Sequence, residues 1–424
     1  MIVSLLARAA HTNKMLIVLY ALLCFASLSI LWSVTEGISG PYKVTDPGVA
    51  KAVFWRQVIW IAAGWVALLV AARVPLNLLE ESSPFIFLGA VLLLLMVLMF
   101  APEVAGSRRW FALGPIRLQP SEPAKVAMLL VLARMFGRSD SSGRQLLPVA
   151  GSLVLAMVPM VLVLREPDLG TSLVFVAIWL GLVFWFGLSW VVLLSVGSPL
   201  LSAVLSFYSE RIVDSPWPWG IYLLVLLLAL YVGRFRVMES FFLVLANIGS
   251  GIGTSVLWAG LKPYQQARIL SFFQPELFRY ETGYQAIQSK IAIGSGGLFG
   301  TSYLQGTQKG LAFLPERHTD FIFSVVGEEL GFVGAMLLLG LFMAIILKGL
   351  AIARAARKPF NSHLAIGVVT YFTFHVLVNI SITTGLLPVT GLPLPFMSYG
   401  GSNFLISSFM LGLLVNIGSR SFET

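Results

Sequence analysis

"MLIVLYALLCFASLSILW", Met15 to Trp32, holds no charged side chain and is long enough, wound as a helix, to cross much of a hydrocarbon core roughly 30 Å thick. Arg8 and Lys14 precede it and Ser and Ala lie near its end, which is also the layout of a secretory signal. Its length, and the many equally long runs that follow, favour a retained first helix. Ala21-Leu22-Leu23-Cys24 loosely resembles a lipoprotein processing site, but the bulky Leu23 argues against cleavage there. The rest of the chain supports the membrane reading. Of 424 residues, 58% are hydrophobic and 11% charged, with mean hydropathy +0.89, which excludes a soluble domain of mixed surface. Cys24 is the single cysteine, so no intrachain disulfide forms.

Apolar runs of helix length fall near 15–34, 54–73, 84–101, 122–137, 147–164, 170–187, 189–207, 219–233, 241–259, 320–349, 366–387 and 403–418. The expected fold is therefore all-α: one polytopic membrane domain over 1–424 with about twelve transmembrane helices. If the spans alternate, Arg8, Lys14, Arg138, Arg144, Arg234, Arg236, Lys348, Arg354, Arg357, Lys358 and Arg420 share one side, which predicts both termini in the cytoplasm. The other side carries Arg108, Arg109, Arg117, Lys125 and Arg165, then Lys262, Arg268, Arg279 and Lys290 in a long loop over 260–319. One reading neutralises these cations with Glu103, Glu122, Glu166 and Asp168 or with lipid headgroups. The sharper one has them converge on a polyanion at the outer surface, for which a lipid diphosphate has the right charge and location.

Four segments are polar where hydropathy disfavours it: "GPIRLQPSEPAK" (114–125), "REPDLGTS" (165–172), "LPERHTDFIFSVVGEELG" (314–331) and "LPLPFMSYGGS" (392–402). Ionisable groups entering a membrane helix usually face a cavity or a partner, which singles out Glu122, Lys125, Asp320, Glu328 and Glu329. Glu122 and Lys125 are spaced for an internal ion pair on one helix face, and such a pair can hold structure and still line a cavity. Asp168 and Asp320 each also read as helix caps. The four histidines, at 11, 318, 363 and 375, have no metal-ligand spacing, and there is neither a phosphate loop nor a dinucleotide fingerprint. No nucleic-acid partner is expected.

These segments, with Arg109-Trp110, "QPSEPAK", "EPDLG", "GYQAIQSKIAIGSGG", "GTQ" and "LPERHTDFIF" in order along nearly the whole chain, resemble the SEDS proteins of the RodA and FtsW type, closest to the RodA branch. The resemblance implies a peptidoglycan glycosyltransferase that polymerises lipid II at the outer face of the bacterial cytoplasmic membrane, for cell elongation and shape. It also implies a class B penicillin-binding protein as partner, with membrane lipid around both. Carried over by position, Arg117 and Lys125 would hold the donor diphosphate, Gln119, Ser121 and Glu122 would line the cavity, and Asp168 matches the motif's aspartate; Arg109, Arg268, Gln288, Lys290, Asp320 and Ser398 are further candidates for substrate contact. No cofactor is required by this reading, and a divalent cation stays open as an addition. The family has ten spanning helices, so the segment of about 207–260 reads as an inserted hairpin. Asn247, Gly249, Gly251, Gly253 and Thr254 would allow its helices to pack closely.

The family's general base is an aspartate six residues before the Tyr of Gly-Tyr, and Phe278 stands at that position here. Phenylalanine cannot take a proton. The acids between Ser271 and Lys290 are Glu281 and Glu276, and Glu281 is placed ahead of Glu276 as the relocated base. Two other classes of function remain alternatives. A flippase for a lipid-linked precursor would use the same basic cavity without a catalytic carboxylate. A non-catalytic scaffold for the crosslinking enzyme would tolerate loss of both glutamates.

Overall fold

The structure, a computed structural model, describes residues 2–36, 47–103, 108–113, 116–139, 146–187, 190–261, 263–278, 283–306 and 318–420. The helices run α1 (Ile2–Glu36), α2 (Pro47–Arg73), α3 (Leu76–Phe100), α4 (Ser121–Arg138), α5 (Leu146–Arg165), α6 (Leu169–Trp185), α7 (Trp190–Tyr208), α8 (Trp217–Val232), α9 (Val237–Ala259), α10 (Pro263–Phe273), α11 (Tyr284–Gly296), α12 (Ile322–Ala355), α13 (Pro359–Thr383) and α14 (Gly401–Arg420). Every one of the twelve apolar runs is a helix. Eight of the described helices are long and apolar enough to cross a membrane, and α6 and α8 are shorter apolar ones. The chain is thus an all-helical, multi-pass membrane protein. Its one sheet among the described residues is a small antiparallel hairpin, β1 (Phe111–Leu113) and β2 (Ile116–Leu118), which pairs Ala112 with Arg117 and leads into α4.

The chain forms two compact units, Met1–Phe186 with Gln285–Thr424, and Gly187–Tyr284. In the first, α4 is the central helix. It carries Glu122, Lys125, Arg134 and Arg138, a load that a lipid-facing helix would not hold, and it is sheathed by α3, α5, α6, α13 and α14. Its charges therefore meet protein instead of hydrocarbon. Helices α2 and α14 pack closely. At Gly412 an added Cβ would sit 2.4 Å from the Leu68 carbonyl oxygen, so only glycine permits this approach. Nearby, the Asn416 amide donates to the Ala71 and Val74 carbonyls, both at 2.7 Å, and satisfies the free end of α2. The same end of the bundle gathers basic side chains. Arg134 donates to the Glu80 and Glu81 carbonyls, Arg138 lies 3.4 Å from the Glu80 carboxylate, and Lys358 donates to Asn77.

The run expected as one helix over 320–349 is broken. Within α12, Gly331 takes φ 65° and ψ −164°, a backbone state that essentially only glycine occupies. The break frees the amides of Phe332 and Val333, which donate to the Gly297 and Leu298 carbonyls at 2.9 and 3.1 Å, while the Thr301 amide donates to the Glu328 carbonyl at 2.9 Å. Non-helical backbone at membrane depth persists when another part of the protein takes up its polar groups, as here. Glycines make the contact close. A Cβ on Gly296 would fall 1.9 Å from the Gly327 oxygen, and one on Gly300 2.0 Å from the Glu329 oxygen. The described residues of the 260–319 segment include α10, a 3-10 turn (Pro275–Phe278) and α11.

In the second unit, α9 packs on α7 through a polar seam. The Ser202 and Ser206 hydroxyls donate to the Asn247 and Gly251 carbonyls, and buried Asn247 donates to Ser198 Oγ and accepts from the Tyr222 hydroxyl. Side chains that hydrogen-bond across helices hold membrane segments where no hydrophobic effect separates protein from lipid. Gly251 gives close approach, its Cβ position lying 2.3 Å from the Trp219 ring, whereas Gly249 and Gly253 meet nothing within 4 Å.

The break in α12 is testable. Gly331→Ala should lower stability by about 1–3 kcal/mol from backbone strain alone, before the clash with Gly300 is counted. Gly340→Ala, on an open stretch of the same helix, should be neutral or stabilising by up to about 1 kcal/mol. Thermal unfolding in detergent reads both.

Candidate functional site

The candidate site begins where the β1–β2 hairpin delivers Gln119, Pro120 and Ser121 to the start of α4. Glu122 lies in the first turn, where the helix dipole favours an anion. Its Oε1 is 2.8 Å from Lys125 Nζ, and both side chains are buried, Lys125 completely. The Asn403 amide donates to Glu122 Oε2 at 3.4 Å and to the Tyr371 hydroxyl at 3.2 Å, and Tyr371 shares a hydrogen bond of 2.9 Å with Ser407. Lys125 Nζ stands 5.3 Å from the centre of the Tyr371 ring, close enough for cation–π attraction to supplement the ion pair. The His375 ring lies 4.4 Å beyond, with Nδ1 3.2 Å from the Pro393 carbonyl. The buried pair is held by α4, α13 and α14 together.

One step outward, Gln119 Nε2 donates to Asp168 Oδ2 at 3.3 Å, and its backbone amide donates to Ser402 Oγ at 3.4 Å. Asp168 caps α6 as expected, accepting from the Thr171 amide at 3.1 Å. Arg109 reaches the same turn. Its Nη1 is 3.8 Å from Asp168, Nε donates to the Glu166 carbonyl at 2.9 Å, and Nη2 donates to the Pro167 carbonyl. The Glu166 side chain is fully buried, and neither carboxyl oxygen has a hydrogen-bond partner among the described residues. It lies in the turn between α5 and α6, outside the spans. Burial first, then the nearby Asp168 charge, pushes its carboxyl up to about 8 against the opposing pull of Arg109.

Of the residues expected to form a site, the structure gathers Arg109, Gln119, Ser121, Glu122, Lys125 and Asp168. The buried Ser121 hydroxyl has no partner among the described residues. Ser398 is a latch: it donates to the Thr319 carbonyl at 2.5 Å and accepts from the Leu394 amide at 2.8 Å. Asp320 is not the cap of α12, since Phe321 holds that position; the Asp320 carbonyl instead accepts from Asn379 at 2.9 Å. Gln288 and Lys290 lie on α11, Lys290 exposed and running past Gly385. In the second unit, Glu276 and Phe278 sit on the 3-10 turn, and Glu276 is exposed. Glu281, Lys262 and Arg279 lie outside the described residues, as do the side chains of Arg117 and Arg268. Among the described residues, no three His, Cys, Asp or Glu side chains converge as a metal site.

Tyr371, His375 and Asn379 were not anticipated as parts of the centre, nor were Asn403 and Ser407. A signal for them exists: Tyr371, His375, Asn379 and Thr383 recur every four residues along α13, as do Asn403 and Ser407 on α14, so each set shares one helix face. Polar groups so aligned in a membrane helix mark an inward stripe.

The family model for cell cycle proteins of the FtsW, RodA and SpoVE type matches residues 13–215 and 219–422. The peptidoglycan glycosyltransferase MrdB of Escherichia coli strain K12 is 36% identical over 404 residues, covering 95% of this chain and 92% of that one. The peptidoglycan glycosyltransferase RodA of Treponema pallidum strain Nichols is 33% identical over 427 residues, covering 95% and 97%. A chain from a solved peptidoglycan synthase complex that coordinates polymerization and crosslinking superposes with a TM-score of 0.68 at 27% identity, covering 96% of this chain and 98% of its own. The chain belongs to the FtsW, RodA and SpoVE family.

The buried pair makes a sharp prediction. Lys125→Met should cost about 3–5 kcal/mol, because it strands the Glu122 charge. The double variant Glu122→Gln/Lys125→Met, which leaves no charge behind, should lose far less than the sum of the two single changes; denaturant unfolding of all three in detergent measures the difference.

Proposed function

We propose that this chain is a peptidoglycan glycosyltransferase that polymerises lipid II at the outer face of the bacterial cytoplasmic membrane, with both termini cytoplasmic, in the service of cell elongation and shape. The observation that carries the reading is the match to named glycosyltransferases over 95% of the chain, joined to a polar centre at the start of α4 that a purely structural bundle does not need. A class B penicillin-binding protein is the proposed partner, since the solved relative works in a complex that both polymerises and crosslinks.

In this transfer the hydroxyl of an acceptor sugar attacks the anomeric carbon of a donor and inverts it, the bond to the lipid diphosphate breaks, and a base takes the hydroxyl proton. The departing diphosphate needs cations, for which Arg117, Arg268 and Lys290 are the candidates besides Arg109 and Lys125. Lys125 is committed to Glu122 as the centre stands, so engaging a diphosphate would require that pair to open. Gln119 and the unpartnered Ser121 hydroxyl are oriented by the same turn to meet polar substrate atoms. The base is assigned to Glu281, with Glu276 second, because Phe278 occupies the position where the family has its aspartate.

That phenylalanine also supports a second reading, a non-catalytic scaffold for the crosslinking enzyme. Glycan formation from labelled lipid II by the purified protein with its partner separates them. Under the enzyme reading, wild type makes polymer and Glu281→Gln reduces the rate by about 10²-fold or more, the lower range for a general base, while Glu276→Gln has a small effect. An inactive wild type, or full activity in both variants, would remove the base assignment and favour the scaffold or a flippase.

A further inference from the structure

The turn between α5 and α6 holds an acid for which the polar centre has no evident use. Glu166 is fully buried, and neither carboxyl oxygen meets a donor among the described residues. The Arg109 guanidinium is at hand, yet it spends Nε and Nη2 on the backbone carbonyls of Glu166 and Pro167 and directs Nη1 toward Asp168 at 3.8 Å. The charged groups that act on the Glu166 carboxyl are Asp168, of like sign once Glu166 ionises, and Arg109, of opposite sign. Arg165, next in the chain, is exposed. One guanidinium thus acts on two carboxyl groups, with Nε and Nη2 donating to the turn and Nη1 turned to Asp168.

A buried carboxylate with no donor is strongly disfavoured, whereas the neutral acid incurs a smaller desolvation penalty. If Glu166 ionised, its charge would compete with Asp168 for Arg109. Asp168 would then lose the cation that faces it, and with it the restraint on the carboxylate that accepts from Gln119 and caps α6.

We infer that Glu166 is a positioning residue that works as the neutral acid: protonated, it leaves Arg109 on the 166–168 turn and Asp168 aligned with Gln119, and loss of its proton to bulk water releases that alignment. This rests on the polymerase reading above. The neutral form persists through neutral pH, because burial raises the carboxyl to about 8. The sign for stability follows. A folded-state value raised above the unfolded one of about 4.3 gives stability that is complete below the unfolded value and lost as pH rises to the folded value.

Three readouts on the full-length protein in detergent, with its partner present for the assay, decide the matter. The infrared difference between wild type and Glu166→Gln should show a protonated-carboxyl stretch at neutral pH that titrates away in alkali. Wild-type glycan formation should fall about tenfold between pH 7 and pH 9, tracking the neutral fraction, while Glu166→Gln, a neutral isostere, keeps its rate within about twofold. Any alkaline dependence intrinsic to the chemistry appears in both and cancels in the ratio. The wild-type unfolding midpoint should decline from about pH 5 to about pH 8, and that of Glu166→Gln should not.

The absence of a protonated band at neutral pH would overturn the inference. So would a Glu166→Gln variant that follows the wild-type alkaline loss, or one that is folded but inactive at pH 7. A wild type that makes no glycan rejects the polymerase reading instead, and the infrared and midpoint titrations then decide the proton's role without turnover. If Glu166→Gln does not fold, Glu166→Met serves as the neutral reference.

Discussion

The ion pair between Glu122 and Lys125 constrains the rest of the bundle. Two charges lie in the first two turns of α4 with almost no access to solvent, and such a pair is tolerable only with further polar contacts around it. Asn403 from α14 donates to Glu122, the Tyr371 ring of α13 lies 5.3 Å from Lys125 Nζ, and Asn403 and Ser407 hold the Tyr371 hydroxyl. The requirement fits the position of α4, which carries four charged side chains, at the centre of its unit, and the burial of α13 and α14 along most of their length. An apolar pair of the same volume would satisfy packing equally well. We therefore read the charge, in line with the proposed function, as serving a ligand more than stability.

Around that pair the chain uses glycine and capping to place backbone where side chains cannot go. Gly170 lets the 390 carbonyl approach the start of α6, where a Cβ would come within 2.4 Å of it, so the Asp168 cap lies directly beside the loop that precedes α14. Gly331, Gly300 and Gly296 do the same for the broken α12, seating the end of α11 against the turn that bears Glu328 and Glu329. Glu329 in turn accepts from Ser33 of α1. The Glu329 carboxylate and the freed amides of α12 are thus met by named partners from other segments, and rigid positioning of this kind is what a site for a charged lipid needs.

The helices were legible because lipid demands long apolar runs, a one-dimensional requirement, and all twelve runs are helical. The break at Gly331 was not, because hydropathy continues through it; only the backbone shows that the glycine in "EELGF" reverses φ. The Glu122–Lys125 pair and the Asp168 cap could be read from spacing, since both are local. Asp320 misled because an acid just before a helix looks like a cap, whereas the helix starts one residue later and Asn379 takes the Asp320 carbonyl instead. The α13 and α14 stripes were visible at four-residue spacing but were masked by the apolar residues between them. Glu166 was legible only as a charge. That its carboxyl meets no donor among the described residues is a fact of three-dimensional packing.

The central claim is that substrate lipid engages the polar centre formed at the start of α4. A photoreactive group on the sugar diphosphate region of a lipid II analogue, crosslinked to the protein in membranes and mapped by peptide sequencing, tests it most directly. The account predicts adducts within 109–125, 166–172 and 398–403. Adducts confined to the apolar groove lined by Val66, Leu69, Val70, Arg73 and Val74, with none in those three segments, would contradict it.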